Sequence, residues 1–167
     1  MQESEKKFLK IYSGYRHAIY RICYGYVYDK ELVEDLFQEI MLNIWNSIEK
    51  FRGDSSAETW AYRVAVNTAL LFNKKIKKER IVKSVKEPSL SYPDTSDMEA
   101  IKEKELKLDK LASSISVLEK EERIIITLIL EGLTYDQVSE IVGITPNYVG
   151  VKVNRIKKQL YKDLINK

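Results

Sequence analysis

Apolar residues recur at three- and four-residue intervals along most of the chain, and only 6 Gly and 3 Pro interrupt them in 167 residues. A stripe at that spacing is buried by a helix and wasted by a strand, so the pattern predicts an all-α fold and argues against a turn-rich sandwich. From Phe8 to Val27 the stripe is Phe8, Ile11, Tyr12, Tyr15, Ala18, Ile19, Ile22, Cys23 and Tyr26. Asp29 is placed to cap a second helix bearing Leu32, Val33, Leu36, Phe37, Ile40, Met41, Ile44, Trp45 and Ile48. Gly53 then breaks the period, and Ser55 with Glu58 offers a capping box for a third helix ending near Lys78.

A charge shift divides the chain. Residues 74–86 hold seven basic side chains and one acidic one, Glu79, although the net charge of the whole is only +3. Residues 87–97 contain Pro88, Pro93, three Ser, Thr95 and acids without periodicity, the composition of a linker. The expected organisation is two small helical domains, 1–82 and 98–167, joined by a flexible linker over 83–97. Ser96 with Glu99 offers a cap at the opening of the second domain, where Leu106, Leu111, Ile115 and Leu118 continue the helical spacing.

The last third reads as a helix stopped by Gly132, a short helix boxed by Thr134 and Gln137, a turn at Gly143, and a final helix opened by Thr145 and Pro146. Short helix, glycine turn and basic second helix make a helix-turn-helix. On that last helix Val149, Val153, Ile156 and Leu160 form the buried stripe. Asn147, Val151, Asn154, Arg155 and Lys158 fall on the far side, with Tyr148 on the flank. Amide, small apolar and cationic groups together suit base edges, thymine methyls and phosphates. A solvated basic face on a structural helix is the competing reading, and Gly150 weakens the helix by about 1 kcal/mol relative to alanine.

The third helix gathers Trp60, Arg63, Asn67, Lys74 and Lys78 on one face. An aromatic ring, an amide and cations are what capture of a single strand requires, and the preceding loop, Arg52, Gly53, Asp54, Ser55 and Ser56, has the small residues and hydroxyls to line a pocket for one unstacked base. Taken alone, Trp60 reads more readily as a core residue, and the loop has the plain reading of a tight turn. On the second helix Asp35, Gln38, Glu39, Leu42 and Asn46 lie opposite the stripe, an acidic patch around an apolar anchor that fits a protein partner or a solvated face. These carboxylates are poor catalytic candidates, because an exposed helix face neither excludes water nor shifts a pKa.

One Cys and one His leave no disulfide framework, no His/Cys zinc site and no serine-type triad with a spare histidine, so no metal, cofactor or catalytic residue is expected. The charged start MQESEKK does not resemble a signal peptide, and no apolar run approaches the ~20 residues that cross a bilayer. The expectation is a cytoplasmic protein without membrane insertion.

Taken in order, these segments resemble the group-four, extracytoplasmic-function sigma factors of bacterial RNA polymerase. VEDLFQEIMLNIW (33–45) is similar to the family's polymerase-binding helix, FRGDSSAETWAYRVAVNTA (51–69) to its minus-10 block, and residues 118–160 to its minus-35 domain. The resemblance implies a non-catalytic initiation subunit that directs core RNA polymerase to promoters. Asp35, Gln38 and Glu39 with Leu42 would engage the polymerase. Trp60, Arg63, Asn67, Lys74 and Lys78 with the loop Arg52 to Ser56 would handle the melted minus-10 strand. Thr145, Asn147, Tyr148, Val151, Asn154, Arg155 and Lys158 would serve the minus-35 duplex. An anti-sigma protein is a further implied partner. Gly150 and Val151 depart from the family, which often has a basic residue and serine there. A self-sufficient helix-turn-helix regulator is the alternative, and it needs no polymerase-binding face.

Overall fold

Asp29 adopts an extended conformation and accepts hydrogen bonds from the backbone N–H groups of Glu31 and Leu32, ending one helix and starting the next. The computed structural model describes residues 3–27, 29–79 and 98–165, with side chains placed for 3–27, 29–72 and 106–165. Helix α1 spans Glu3–Val27 and α2 spans Lys30–Ser47, followed by a single 3-10 turn at Ile48–Lys50. Helix α3 is Ala57–Glu79; then come α4 (Met98–Ser116), α5 (Lys120–Leu130), α6 (Tyr135–Val142) and α7 (Pro146–Ile165). The described residues contain no strand, so the all-α expectation holds. No helix among them is long and apolar enough to cross a membrane. The linker assigned to 83–97 and the Ser96 cap lie outside the described residues.

The cap of α3 differs from the expected one. Ser56, not Ser55, accepts from the Thr59 N–H at 3.0 Å and donates its hydroxyl to Thr59 Oγ1 at 2.9 Å. Gly53, at φ 82°, takes the chain through a left-handed turn, and the helix starts one residue later than the Ser55–Glu58 spacing suggests. The Thr134–Gln137 box on α6 forms as expected, Gly143 closes that helix at φ 81°, and Thr145 Oγ1 accepts from the Tyr148 N–H at the start of α7.

Helices α1, α2 and α3 pack as a three-helix unit on Ile19, Ile22, Leu36, Ile40, Ile44 and Val66. Asn43 ties α2 to α3 by donating to Thr68 Oγ1 at 3.0 Å. Trp45, counted in the apolar stripe of α2, is instead partly exposed and meets the edge of Phe8. The second unit closes around α5, whose residues Ile124, Ile125, Ile126 and Leu128 are all buried because α6 and α7 flank one side and α1 the other.

The two units therefore touch. Gly25 on α1 lets α5 approach closely, since a Cβ there would fall 2.6 Å from Thr127 Oγ1. Arg21 makes a two-pronged pair with Glu131, at 2.6 and 2.7 Å, and that hydrogen bonding raises the guanidinium pKa. The Arg123 guanidinium stands over the Tyr26 ring on the same seam.

Cys23 is fully buried, and desolvation pushes its thiol up to about 12. The native protein at pH 8 is expected to resist a thiol reagent that labels it at once in guanidinium, as followed by absorbance; equal labelling rates in both states would show that this part of the core is open.

Candidate nucleic-acid interface

Pro146 opens α7 where its missing N–H costs nothing, and the following turns distribute side chains as the 3.6-residue period dictates. Val149, Val153, Ile156 and Leu160 are buried, as the stripe requires. Thr145, Asn147, Tyr148, Val151, Asn154, Arg155 and Lys158 are all exposed. Together with α6 they make a helix-turn-helix with a free outer face.

The electrostatics of that face were not legible in the residue order. Lys152 is buried at the root of α7, 3.2 Å from Glu121, with its ammonium 5.4 Å from the Tyr148 ring. Desolvation works against its charge, but hydrogen bonds to Glu121 and Tyr148 raise its pKa on balance. Arg155 reaches back to Glu122, 2.8 Å away, and Glu122 is only 2% exposed. Both cations of the middle turns thus lean toward the acidic start of α5, and Arg155 keeps an exposed flank. The pairing links residues some thirty positions apart, beyond any helical period.

Tyr135 is a second feature missing from the sequence reading. Its ring lies over Gly150, where an added Cβ would sit 3.4 Å from Cε2. The ring borders an open groove of about 680 Å³ between α6 and α7, shared with Asn147, Val151 and Asn154. The one available signal was Gly150 itself, a helical glycine whose vacant side is filled from elsewhere.

On α3, Asn67 is exposed and Trp60 half-buried, packed against Phe51 at 5.0 Å between ring centroids. Trp60 thus serves partly as core, one of its two expected readings. Arg63 is half-buried and donates from Nε to the Glu140 carbonyl of α6 at 3.2 Å, so the α3 face meets the helix-turn-helix unit directly. In the loop, Arg52, Gly53, Asp54 and Ser56 are exposed and Ser55 partly so. Lys74 and Lys78 belong to the α3 backbone, but their side chains lie outside the described residues. Nearby, burial and then the Glu58 charge push the Tyr62 hydroxyl pKa up, which keeps it neutral.

Asp35 and Gln38 are exposed on α2, Glu39 is partly so, and Leu42 stands 60% exposed among them. Neither Asp35 nor Glu39 takes part in an ion pair among the described residues, which leaves both charges available.

Comparison with known proteins matches two family models in succession: Sigma-70 region 2 over residues 11–78 and Sigma-70, region 4 over 108–160. The chain is 28% identical to the ECF RNA polymerase sigma-E factor of Haemophilus influenzae, over 96% of this chain and 89% of that protein. It is 23% identical to the RNA polymerase sigma factor YlaC of Bacillus subtilis, over 92% and 90% respectively. Among solved structures, the sigma factor RpoE of Bartonella quintana, crystallised with the anti-sigma factor NepR, has the same fold at a TM-score of 0.73 and 16% identity, covering 99% of this chain and 98% of that one.

Proposed function

From the premise that the chain belongs to the extracytoplasmic-function group of the sigma-70 family and directs RNA polymerase to promoters, we propose how its residues divide that work. The first unit, 1–82, binds core polymerase through Asp35, Gln38, Glu39 and Leu42. It captures the opened minus-10 strand through the loop Arg52 to Ser56 and through Trp60, Arg63, Asn67, Lys74 and Lys78. The second unit, 98–167, sets α7 into the minus-35 major groove. Residues 83–97 connect the two. The chain acts as a non-catalytic initiation subunit in the cytoplasm, where polymerase and promoters are. An anti-sigma protein is a fitting additional partner, in keeping with the complex described for the Bartonella quintana factor.

The observation that carries this reading is the outward presentation of all three faces: the α2 acidic patch, the α3 loop and the α7 helix each leave polar groups exposed. Arg63 is the exception. Its Nε is held by the Glu140 carbonyl, so a strand would meet it through the remaining N–H groups of the guanidinium.

The test is position-dependent. A docked recognition helix reads bases with its N-terminal turns and touches phosphate further along. In a selection on randomised minus-35 DNA with reconstituted holoenzyme, Asn147→Ala is expected to change the selected sequence, by about 1–3 kcal/mol per affected base pair. Lys158→Ala weakens all sequences alike. Identical profiles for the two variants would contradict the assignment.

A further inference from the structure

The N-terminal turns of α7 are where a recognition helix meets base edges, yet little hydrogen-bonding equipment is presented there. Gly150 has no side chain, Val151 is 59% exposed and apolar, and Lys152 is turned inward to Glu121. Asn147 and Tyr148 are the exposed polar side chains that remain on the opening turn. Beside Gly150 stands the Tyr135 ring from α6, 42% exposed and 3.4 Å from where a Cβ would be. Tyr135 and Val151 border the same groove, an aromatic ring and a branched aliphatic side chain on a surface that also carries Asp136, the amides Asn147 and Asn154, and Lys157.

Beyond the Tyr135 hydroxyl, such a pair offers no donor to guanine, whose major-groove edge carries only hydrogen-bond acceptors. Its complement there is the thymine 5-methyl, the apolar group a base presents in that groove. We propose that Tyr135 and Val151 together read thymine methyl groups in the minus-35 element, with the Tyr135 ring standing beside Gly150. Tyr135 is thereby a specificity-determining residue contributed by the first helix of the motif rather than by the recognition helix. The inference rests on the placement of α7 in the minus-35 groove proposed above.

A Cβ at position 150 would stand 3.4 Å from the ring, an ordinary contact, so Gly150→Ala leaves the ring in place. A lysine at 150 would bring a cation alongside the pair, able to reach guanine O6 and N7.

The experiment uses holoenzyme reconstituted from core polymerase and the full chain. The minus-35 sequence is first obtained by selection from randomised duplexes, and each thymine in it is then replaced by uracil, which removes the methyl and leaves pairing intact. Wild-type protein is expected to lose about fourfold in affinity for each buried methyl removed, the transfer free energy of one such group. Tyr135→Ala and Val151→Ala each shrink that discrimination, Tyr135→Phe keeps it, and Gly150→Lys shifts the selected sequence toward guanine.

The wild-type uracil series needs no variant, so it stands even if a substitution unfolds α6. Indifference to uracil at every position, with a defined minus-35 sequence still selected, overturns the methyl-reading proposal alone. Discrimination undiminished in both alanine variants overturns it as well. Selection of no minus-35 sequence at all overturns the underlying placement of α7, and the methyl proposal with it.

Discussion

Reversing the acidic patch of α2, Asp35→Lys with Glu39→Lys, is expected to weaken binding to core polymerase by about 100-fold or more, because two attractive charges become two repulsive ones at a contact surface. The fold should hardly notice. Asp35 is exposed and Glu39 partly so, neither is ion-paired among the described residues, and both lie past the first turn of α2, so stability should change by about 0.5 kcal/mol or less. Leu42, 60% exposed between them, provides the companion experiment. Leu42→Ala removes an apolar anchor without touching charge, and its loss of affinity should persist in high salt, whereas the charge-reversal defect should shrink as salt screens it. Gel filtration with core enzyme and helical circular dichroism decide the matter. Full copurification of the double variant would remove the polymerase-binding role from this helix and return weight to a stand-alone regulator.

The fold could be read ahead largely where a single helix decides its own fate. Asp29, Thr134, Gly143 and Pro146 act within one turn of their own position, so residue order is enough to place them. The α3 cap shows the limit. Ser55 with Glu58 has the sequence of a capping box, but Ser56 makes the cap, bonded to the Thr59 N–H and to its hydroxyl, and a shift of one residue is below what a periodic pattern resolves. Trp45 fits the apolar stripe of α2 by its period, yet stays partly exposed because its partner, Phe8, comes from the start of α1 at the rim of the bundle.

What could not be read ahead is whatever joins residues from different units. The Arg21–Glu131 pair, the Gly25–Thr127 approach and the Arg63–Glu140 hydrogen bond all cross from the first unit to the second, and no helical spacing connects them. The same holds inside the candidate interface. Position 155 reads as an outward cation, which it is, but its attachment to buried Glu122 depends on how α5 crosses α7. These contacts bear on function, because an arginine already paired within the protein has less to offer DNA than a free one. On the proposed docking of α7, charge count alone therefore overstates the face, and the exposed amides and Val151 would carry more of the recognition than the basic residues suggest.

The loop before α3 carries the other large effect, and it separates an initiation factor from an ordinary DNA-binding protein. The proposed variant joins Asn67→Ala to removal of Asp54 and Ser55, keeping Gly53 for its left-handed turn and Ser56 for its cap. Both deleted residues lie outside the helices, and Asn67 is exposed, so α3 should persist by circular dichroism. A base that leaves the duplex must be held against re-pairing, at a cost of a few kcal/mol, by stacking and edge hydrogen bonds. Losing the hydrogen bonds of one such site should lower transcription from a duplex promoter by about 5- to 150-fold, equivalent to about 1–3 kcal/mol for polar groups left unpaired. On a template whose minus-10 region is mismatched beforehand, unpairing has already been supplied, and most of the activity should return. Trp60→Ala is a poorer probe, because the ring packs on Phe51 and its removal also opens the core. Abortive transcription on paired and bubble templates gives the ratio. If the variant loses the same fraction on both, the loop and Asn67 take no part in strand capture, and the α3 face is left with contacts that do not depend on opening.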